Sequence, residues 1–162
     1  MTYILDANVF IEAKNRHYGF DVVPGFWEWL DDANDRGVVC SVAKVRDELL
    51  DGGDELTEWA RDRPEFFPSP DDAVVSSLRD LVMWANDSEY EDGAVNTFLQ
   101  AGDAYLVAHA HAHGLTVVTH EIASPSVKKI KIPNACDGRG VPHCAPFAML
   151  RNEGARFVLG EP

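Results

Sequence analysis

Short apolar runs alternate along the chain with longer segments in which apolar residues recur every three or four positions. The short runs predict buried strands, whereas the longer spacing is typical of helices with one buried face. The predicted strands cover residues 2–6, 38–40, 115–119 and 156–159, with a short extended piece at 130–132. The predicted helices cover approximately residues 8–15, 24–36, 42–50, 54–63, 71–84, 102–113 and 146–152. This alternation predicts an α/β fold, a three-layer α/β/α sandwich around a central, mainly parallel sheet.

The length of the chain fits one domain. It has 162 residues, 46% of them hydrophobic, and no internal repeat, low-complexity tract or long linker divides it. We therefore expect a single domain over residues 1–162. No stretch approaches the roughly 20 apolar residues that span a bilayer, and the N-terminus does not resemble a signal peptide. The expected location is the cytoplasm.

Negative charge is concentrated in one part of the sequence. The formal net charge is −13, and residues 47–92 carry 15 of the 27 acidic residues but only 3 basic ones. This acidic segment predicts solvated helix faces, or a surface for a basic partner. It argues against a broad phosphate-binding surface, but not against a small catalytic contact with nucleic acid elsewhere.

Four acidic residues fall where a parallel sheet exposes its functional edge. Asp6 ends the first predicted strand, and Glu121 follows the strand at 115–119. Asp103 lies in the first turn of a predicted helix, and Glu48 lies on the helix after the second strand. Ligands of open α/β sheets bind beyond the carboxyl ends of the strands, so we expect the four acids to converge there.

Converging carboxylates repel one another unless divalent cations lie between them. Hard oxygen ligands select Mg²⁺ or Mn²⁺, and such ions promote the hydrolysis of phosphodiesters. Taken singly, two of the acids have simpler explanations: Asp103 as a helix N-cap, and Glu48 as a partner of Lys44 or Arg46. Asp6 is harder to explain in that way because apolar residues flank it and its burial is costly.

The motifs around these acids resemble those of the PIN-domain ribonucleases. That family has an aspartate closing the first strand, a glutamate after the second strand, an Asp-Ala pair opening a helix, and a Thr-x-Asp after a later strand. The matching segments are Leu5-Asp6-Ala7-Asn8, Val45-Arg46-Asp47-Glu48-Leu49, Asp103-Ala104 and Thr119-His120-Glu121. Tyr18 and the segments 24–27 and 129–133 further resemble an uncharacterised prokaryotic lineage of PIN-like proteins.

The resemblance implies a PIN-like fold and a ribonuclease that depends on Mg²⁺ or Mn²⁺. It also implies the catalytic and metal-binding residues, which are Asp6, Glu48, Asp103 and Glu121. Asn8 would orient Asp6, and Thr119 would hydrogen-bond within the site. The sequence departs from the family pattern at Glu121, where aspartate is usual, and the longer side chain would reach the metal directly or through water.

The resemblance also implies partners. Many prokaryotic PIN proteins are toxins of toxin–antitoxin pairs and form homodimers, so the implied partners are an RNA substrate, an antitoxin protein and a second copy of the chain. The acidic segment would then either dock the antitoxin or keep the protein soluble. Lys128, Lys129 and Lys131 are the candidate contacts to RNA phosphates, although lysines that solvate an edge strand explain them equally well.

Two other functions are weaker alternatives. A phosphatase with an aspartyl nucleophile needs a second acid two residues later, and Asn8 occupies that position. A non-catalytic PIN-like binding module would not need all four acids.

His109 and His113 stand four apart, as zinc ligands do, but no glutamate completes an HExxH motif. We expect a surface row of histidines at the end of that helix.

Overall fold

The computed structural model of the protein describes residues 2–160 and is built around a parallel sheet. Its strands are β1 (Tyr3–Leu5), β2 (Val39–Cys40), β3 (Thr116–Val118) and β4 (His143–Cys144). Their spatial order is β2-β1-β3-β4, and all three neighbouring pairs are parallel. Every residue of β1 and β3 is buried, as is typical of central strands covered by helices on both faces. The predicted α/β class and layered architecture are confirmed.

Nine α-helices occur along the described part of the chain. They are α1 (Ala7–Glu12), α2 (Pro24–Asp35), α3 (Ala43–Leu50), α4 (Glu55–Arg61), α5 (Asp72–Asp87), α6 (Asp92–Gln100), α7 (Gly102–His113), α8 (Ile132–Arg139) and α9 (Pro146–Asn152). A π-helical turn, Ala13–His17, extends α1, and a 3₁₀ turn, Pro64–Phe66, follows α4. No helix among residues 2–160 is both long enough and apolar enough to cross a membrane.

Strand register places the polar residues that follow β1 and β3 side by side. Leu5 and Val118 are paired in the sheet, so the residues after them, Asp6 and Thr119, emerge at the same edge. The backbone N–H of Asp6 still donates to the carbonyl of Val118, at 3.0 Å, which holds the start of α1 against β3. The edge formed by the carboxyl ends of the strands is therefore set by ordinary sheet pairing.

Helix α7 is the central helix of the fold and brings Asp103 to this edge. Most of its residues are buried, because it packs against β1, β3, α5, α6 and α8. The helix ends at Gly114, whose φ of 67° is left-handed and suits a glycine at this position. His109 is only 8% exposed, so the prediction of a surface histidine row is wrong for that residue.

The buried apolar side chains form one connected cluster. Its most aromatic part joins Phe10 of α1 to Trp59, Phe66 and Phe67, with ring centroids 5.2–6.3 Å apart. These rings fix α1, and with it the residues just after β1, against the segment that contains α4. The expectation of a single domain stays a prediction.

The fourth strand differs from the prediction. Residues 156–159 form no strand, and Leu159 is 98% exposed. The edge strand is β4 instead, held by hydrogen bonds from Val117 N to Pro142 O and from Thr119 N to Cys144 O, at 2.9 and 3.1 Å. Its two residues have no apolar run that could have indicated a strand.

The segments before and after α7 also differ from the prediction. Ile132 begins helix α8 rather than ending an extended piece, and Pro133 occupies the first turn, where proline suits a helix. Helix α6 occupies residues that the sequence pattern did not assign to a helix. Both corrections matter because α6 and α8 border the site described next.

Candidate active site

Asp6 is the buried centre of the site. Its side chain is only 3% exposed, and Thr119 Oγ1 donates to Asp6 Oδ2 at 3.0 Å. The same Thr119 hydroxyl accepts a hydrogen bond from the backbone N–H of Glu121, also at 3.0 Å. One hydroxyl thus joins the ends of β1 and β3, and the expected hydrogen bond of Thr119 within the site is present.

The four acids are close enough to affect one another electrostatically. Burial raises the pKa of Asp6 from 3.8 to about 7, with a further contribution from the charge of Asp103 and smaller ones from Glu121 and Glu48. Burial also raises the pKa of Asp103 to about 6, helped by Glu121 and Glu48. The hydrogen bond from Thr119 opposes the increase at Asp6 but does not cancel it. The structure therefore brings together all four acidic residues named from the sequence.

Glu48 is held by the start of helix α7. The backbone N–H of Gly102 donates to Glu48 Oε1 at 3.3 Å, where the positive end of the helix dipole favours a carboxylate. A Cβ atom on Gly102 would lie 2.6 Å from that oxygen, so the contact requires glycine. The residue as a whole is exposed, but partial burial of the carboxyl raises its pKa, opposed by Gly102 and Lys44.

Glu121 is held by the start of helix α8. Its Oε2 accepts a hydrogen bond from the backbone N–H of Ile132 at 2.8 Å. The extended piece predicted at 130–132 contains no helix N-terminus, so the sequence pattern does not predict this contact. Pro133, directly after Ile132, was the available signal for a helix start at this point. The contact between Gly102 and Glu48 is also absent from the predictions, because the sequence indicates it only through a glycine before Asp103.

The four carboxylates are not arranged as a complete set of metal ligands. Among residues 2–160, no group of three or more His, Cys, Asp and Glu side chains is arranged to hold a metal ion. Glu48 and Glu121 each direct one oxygen to the N-terminus of a helix. The chemistry of the four side chains nevertheless fits a hard divalent cation, because all of them offer carboxylate oxygens. A cation would also offset the burial and repulsion that raise the pKa of Asp6.

Two clefts flank the acids. The first, which we call the lysine cleft, has a volume of about 330 Å³ and is lined by Asp103, Lys128, Lys129 and apolar residues of α6. Lys129 and Lys131 both lower the pKa of Asp103, which places their charges near the acids. The lysines named from the sequence thus lie beside the site.

The second cleft, which we call the arginine cleft, has a volume of about 350 Å³. It is lined by Asn8, Glu12, Arg16, His120 and Glu121. Asn8 is exposed here, and the hydrogen bond that fixes Asp6 comes from Thr119. Arg16 belongs to a basic cluster of the sequence, with Lys14 and His17, that is a candidate contact for RNA phosphates, whereas no local pattern places His120, 104 residues further along, beside it.

The histidines of α7 form a separate group. His113 Nε2 lies 2.9 Å from Asp71 Oδ2, and His111 Nδ1 lies 2.8 Å from Ser77 Oγ. The rings of His109 and His113 are tilted by 44° to one another, with centroids 4.9 Å apart. These contacts tie the end of α7 to α5, which is a structural role, and they do not include any of the four acids.

Solved structures with the same fold are PIN-domain toxin–antitoxin proteins. One is VapBC2 from Rickettsia felis bound to a promoter DNA fragment, with a TM-score of 0.55 and 14% identity over 90% of this chain and 98% of that one. Another is FitAcB from Neisseria gonorrhoeae, with a TM-score of 0.54 and 20% identity over 90% and 99%. A third is FitAB bound to the IR36 DNA fragment, with a TM-score of 0.56 and 19% identity over 90% and 96%. The chain therefore has a PIN-like fold.

Sequence comparison is less specific about function. No curated protein matches the sequence. One family model, described as "Domain of unknown function (DUF4411)", matches residues 3–157. Because that match covers nearly the whole chain, the protein belongs to the DUF4411 family.

Proposed function

We propose that this protein is a ribonuclease that hydrolyses RNA phosphodiester bonds with Mg²⁺ or Mn²⁺. The observation that carries the proposal is the buried Asp6, whose carboxylate interacts with three further acids at the carboxyl edge of the sheet. Such a cluster is unfavourable at neutral pH unless cations compensate it. The PIN-like fold supports nuclease chemistry by analogy.

The proposed roles follow the contacts of each side chain. Asp6 and Asp103 would be the central ligands, with Glu48 and Glu121 as further oxygen donors. When bound, Mg²⁺ or Mn²⁺ supplies water activation and stabilises negative charge on the phosphate. Thr119 positions Asp6 by donating to its Oδ2 at 3.0 Å, which restricts the orientation of the buried carboxylate.

The lysine cleft provides the matching positive charge for the substrate. Lys129 and Lys131 lie close enough to Asp103 to lower the pKa of its carboxyl. Their ammonium groups would attract the phosphates of an RNA strand, and the contact would weaken with salt. The acidic residues of the segment 47–92 other than Glu48 would repel RNA, which would limit binding to the site and the lysine cleft.

The test is cleavage of a mixed RNA pool by purified protein with Mg²⁺, with Mn²⁺ and with EDTA. We expect metal-dependent cleavage that is lost in Asp6→Asn and Asp103→Asn. The matched control is Asp72→Asn, because Asp72 is also an aspartate in the first turn of a helix but is exposed. Cleavage that persists in EDTA, or that survives both site substitutions, would contradict the proposal.

A non-catalytic binding module is the second candidate. It is favoured by one observation: within the described residues, no three acidic or histidine side chains are positioned to hold a metal. In that case divalent ions would leave the melting temperature unchanged, and the four acids would contact a basic partner instead. A rise in melting temperature with Mg²⁺ that Asp6→Asn abolishes would exclude this candidate.

We also propose that the protein acts as the toxin of a toxin–antitoxin pair. The structural neighbours are toxin–antitoxin proteins, two of them bound to DNA, which supports an antitoxin partner for this chain. Expression of the protein alone should then arrest growth, and co-expression of an adjacent gene should relieve the arrest. The cytoplasmic location, the homodimer and the single domain stay predictions; sedimentation and a single cooperative unfolding transition test the last two.

A further inference from the structure

Three rings form an exposed group next to the acids. His17, His120 and Phe147, which we call the ring cluster, have centroids 5.3 Å apart for His17 and Phe147, and 5.7 Å for His17 and His120. Phe147 lies 6.5 Å from His120 and is steeply inclined to both imidazoles, at 77° and 71°. His17 is exposed, and Phe147 is 38% exposed, so the cluster presents ring surface to solvent.

The three rings come from separate segments that the fold brings together. His17 ends the π-helical turn after α1, His120 lies between Thr119 and Glu121, and Phe147 is in the first turn of α9. The π-helical turn closes with a hydrogen bond from Tyr18 N to Ala13 O, at 2.6 Å. Turns of this kind are rare in proteins, and those that occur are often found at functional sites.

Core packing accounts for only one side of the ring cluster. Tyr18, next to His17, stacks on the buried Phe26 with centroids 4.4 Å apart and so belongs to the core. His17 and Phe147 contact the edge of that stack, with ring centroids 6.1 and 6.5 Å from that of Tyr18, and both keep ring area in solvent that a planar ligand would cover.

The arginine cleft connects the ring cluster with the acids. His120 lines this cleft together with Glu121, and Arg16 lies at its edge with a side chain that is 74% exposed. Within residues 2–160, Arg16 forms an ion pair only with Glu12, at 3.2 Å and near the surface, so its guanidinium can turn to another anion at little cost. The lysine cleft is lined by a different acid, Asp103.

We propose that the ring cluster stacks one unpaired base of the RNA substrate, while Arg16 contacts the phosphate beside that base. The proposal rests on the ribonuclease function proposed above. A strand would run from the lysine cleft across the acids to the ring cluster, so the stacked base lies next to the cleaved bond. Planar rings bind any base by stacking, and a base must leave a duplex to reach them, so the site selects single-stranded RNA.

The test is a binding cycle carried out in EDTA, where the proposed cleavage cannot proceed. A short single-stranded RNA is prepared with one base removed at each position in turn, and its affinity is measured for the wild type, Phe147→Ala and His17→Ala. In the wild type, removal of one particular base should weaken binding by about 5- to 100-fold, which is the range of one stacked base. In Phe147→Ala that loss should disappear, and Phe147→Trp should restore it.

Two controls separate stacking from general effects. Met83→Ala removes another exposed apolar side chain, which lines a different surface cleft, and should leave the pattern of base removal unchanged. Binding to a blunt RNA duplex should be weak and should be the same for all variants. Unchanged melting temperatures would show that Phe147→Ala leaves the fold intact.

Each remaining outcome overturns the proposal in a recognisable way. Binding that is insensitive to base removal, or equally sensitive in Phe147→Ala, excludes stacking on the ring cluster while metal-dependent cleavage continues. Absence of any RNA binding together with absence of cleavage refutes the proposed ribonuclease function as well. Loss of self-association in Phe147→Ala, with RNA affinity unchanged, would assign the ring cluster to an interface between copies of the chain.

Discussion

Replacement of Asp6 by asparagine should stabilise the protein when no metal is present. The Asp6 carboxyl is 3% exposed, and burial and the charge of Asp103 raise its pKa from 3.8 to about 7. Asparagine has nearly the same shape and still offers an oxygen to the Thr119 hydroxyl, but it carries no charge. The substitution therefore removes an electrostatic cost and keeps the hydrogen bond.

The magnitude follows from linkage between protonation and folding. In the native state the carboxyl keeps its proton between about pH 4 and pH 7, where the unfolded chain has lost it, so stability falls as the pH rises through this interval. A pKa difference of about 3 corresponds to at most ~4 kcal/mol above pH 7. Because the neighbouring acids titrate together, we expect Asp6→Asn to gain about 2–4 kcal/mol at pH 8 and much less at pH 5.

The assay is thermal unfolding of both proteins in EDTA at pH 5 and pH 8. At pH 8 the variant should melt roughly 5–15 °C above the wild type, and the difference should shrink at pH 5. Mg²⁺ should raise the melting temperature of the wild type at pH 8 and have no effect on the variant. Asp72→Asn is the control and should change neither quantity. A variant that is less stable than the wild type at pH 8 would refute the reasoning.

Three further substitutions test the surroundings of the site. Gly102→Ala places a methyl group 2.6 Å from Glu48 Oε1, so we expect cleavage to slow by roughly 10- to 100-fold with little change in melting temperature. Gly138→Ala drives a methyl group into the Trp84 ring, and denaturant titration should show a loss of about 1–3 kcal/mol. Lys129→Gln should raise the KM for RNA and reduce the salt dependence of log KM by a slope of about 0.7–0.9.

Each of these three predictions has a result that would contradict it. Full activity in Gly102→Ala would show that the position of Glu48 is unimportant for cleavage. An unchanged unfolding midpoint in Gly138→Ala would mean that the Trp84 ring can move aside freely. An unchanged salt slope in Lys129→Gln would exclude a phosphate contact at that lysine.

Helices α6 and α8 show where sequence patterns were insufficient. Helix α6 follows a polar connection, and the pattern between residues 93 and 101 was too short to stand out from it. Helix α8 begins with Ile132-Pro133, which in isolation is compatible with either an extended segment or a helix start. In both cases the helix is stabilised by packing against α7, a contact that no local pattern contains.

The edge strand β4 is also not identifiable from the local sequence pattern. Residues 156–159 have a strand-like composition but no neighbouring strand to pair with, whereas His143–Cys144 is a poor strand by composition and pairs with β3. A strand exists only when hydrogen-bonding partners lie beside it, and those partners are chosen by the whole sheet.

The sequence by itself determined the α/β class, the two central strands and the positions of the four acids at or after strand ends and on helices. These features depend on local periodicity, and parallel pairing brings the carboxyl ends of strands to one edge in any such sheet. Only the tertiary structure decided that Glu48 and Glu121 contact the N-termini of α7 and α8, and that His17 and His120 meet beside Phe147. Those contacts join residues that are distant in the chain, so they follow from how the helices pack on the sheet and not from any local pattern.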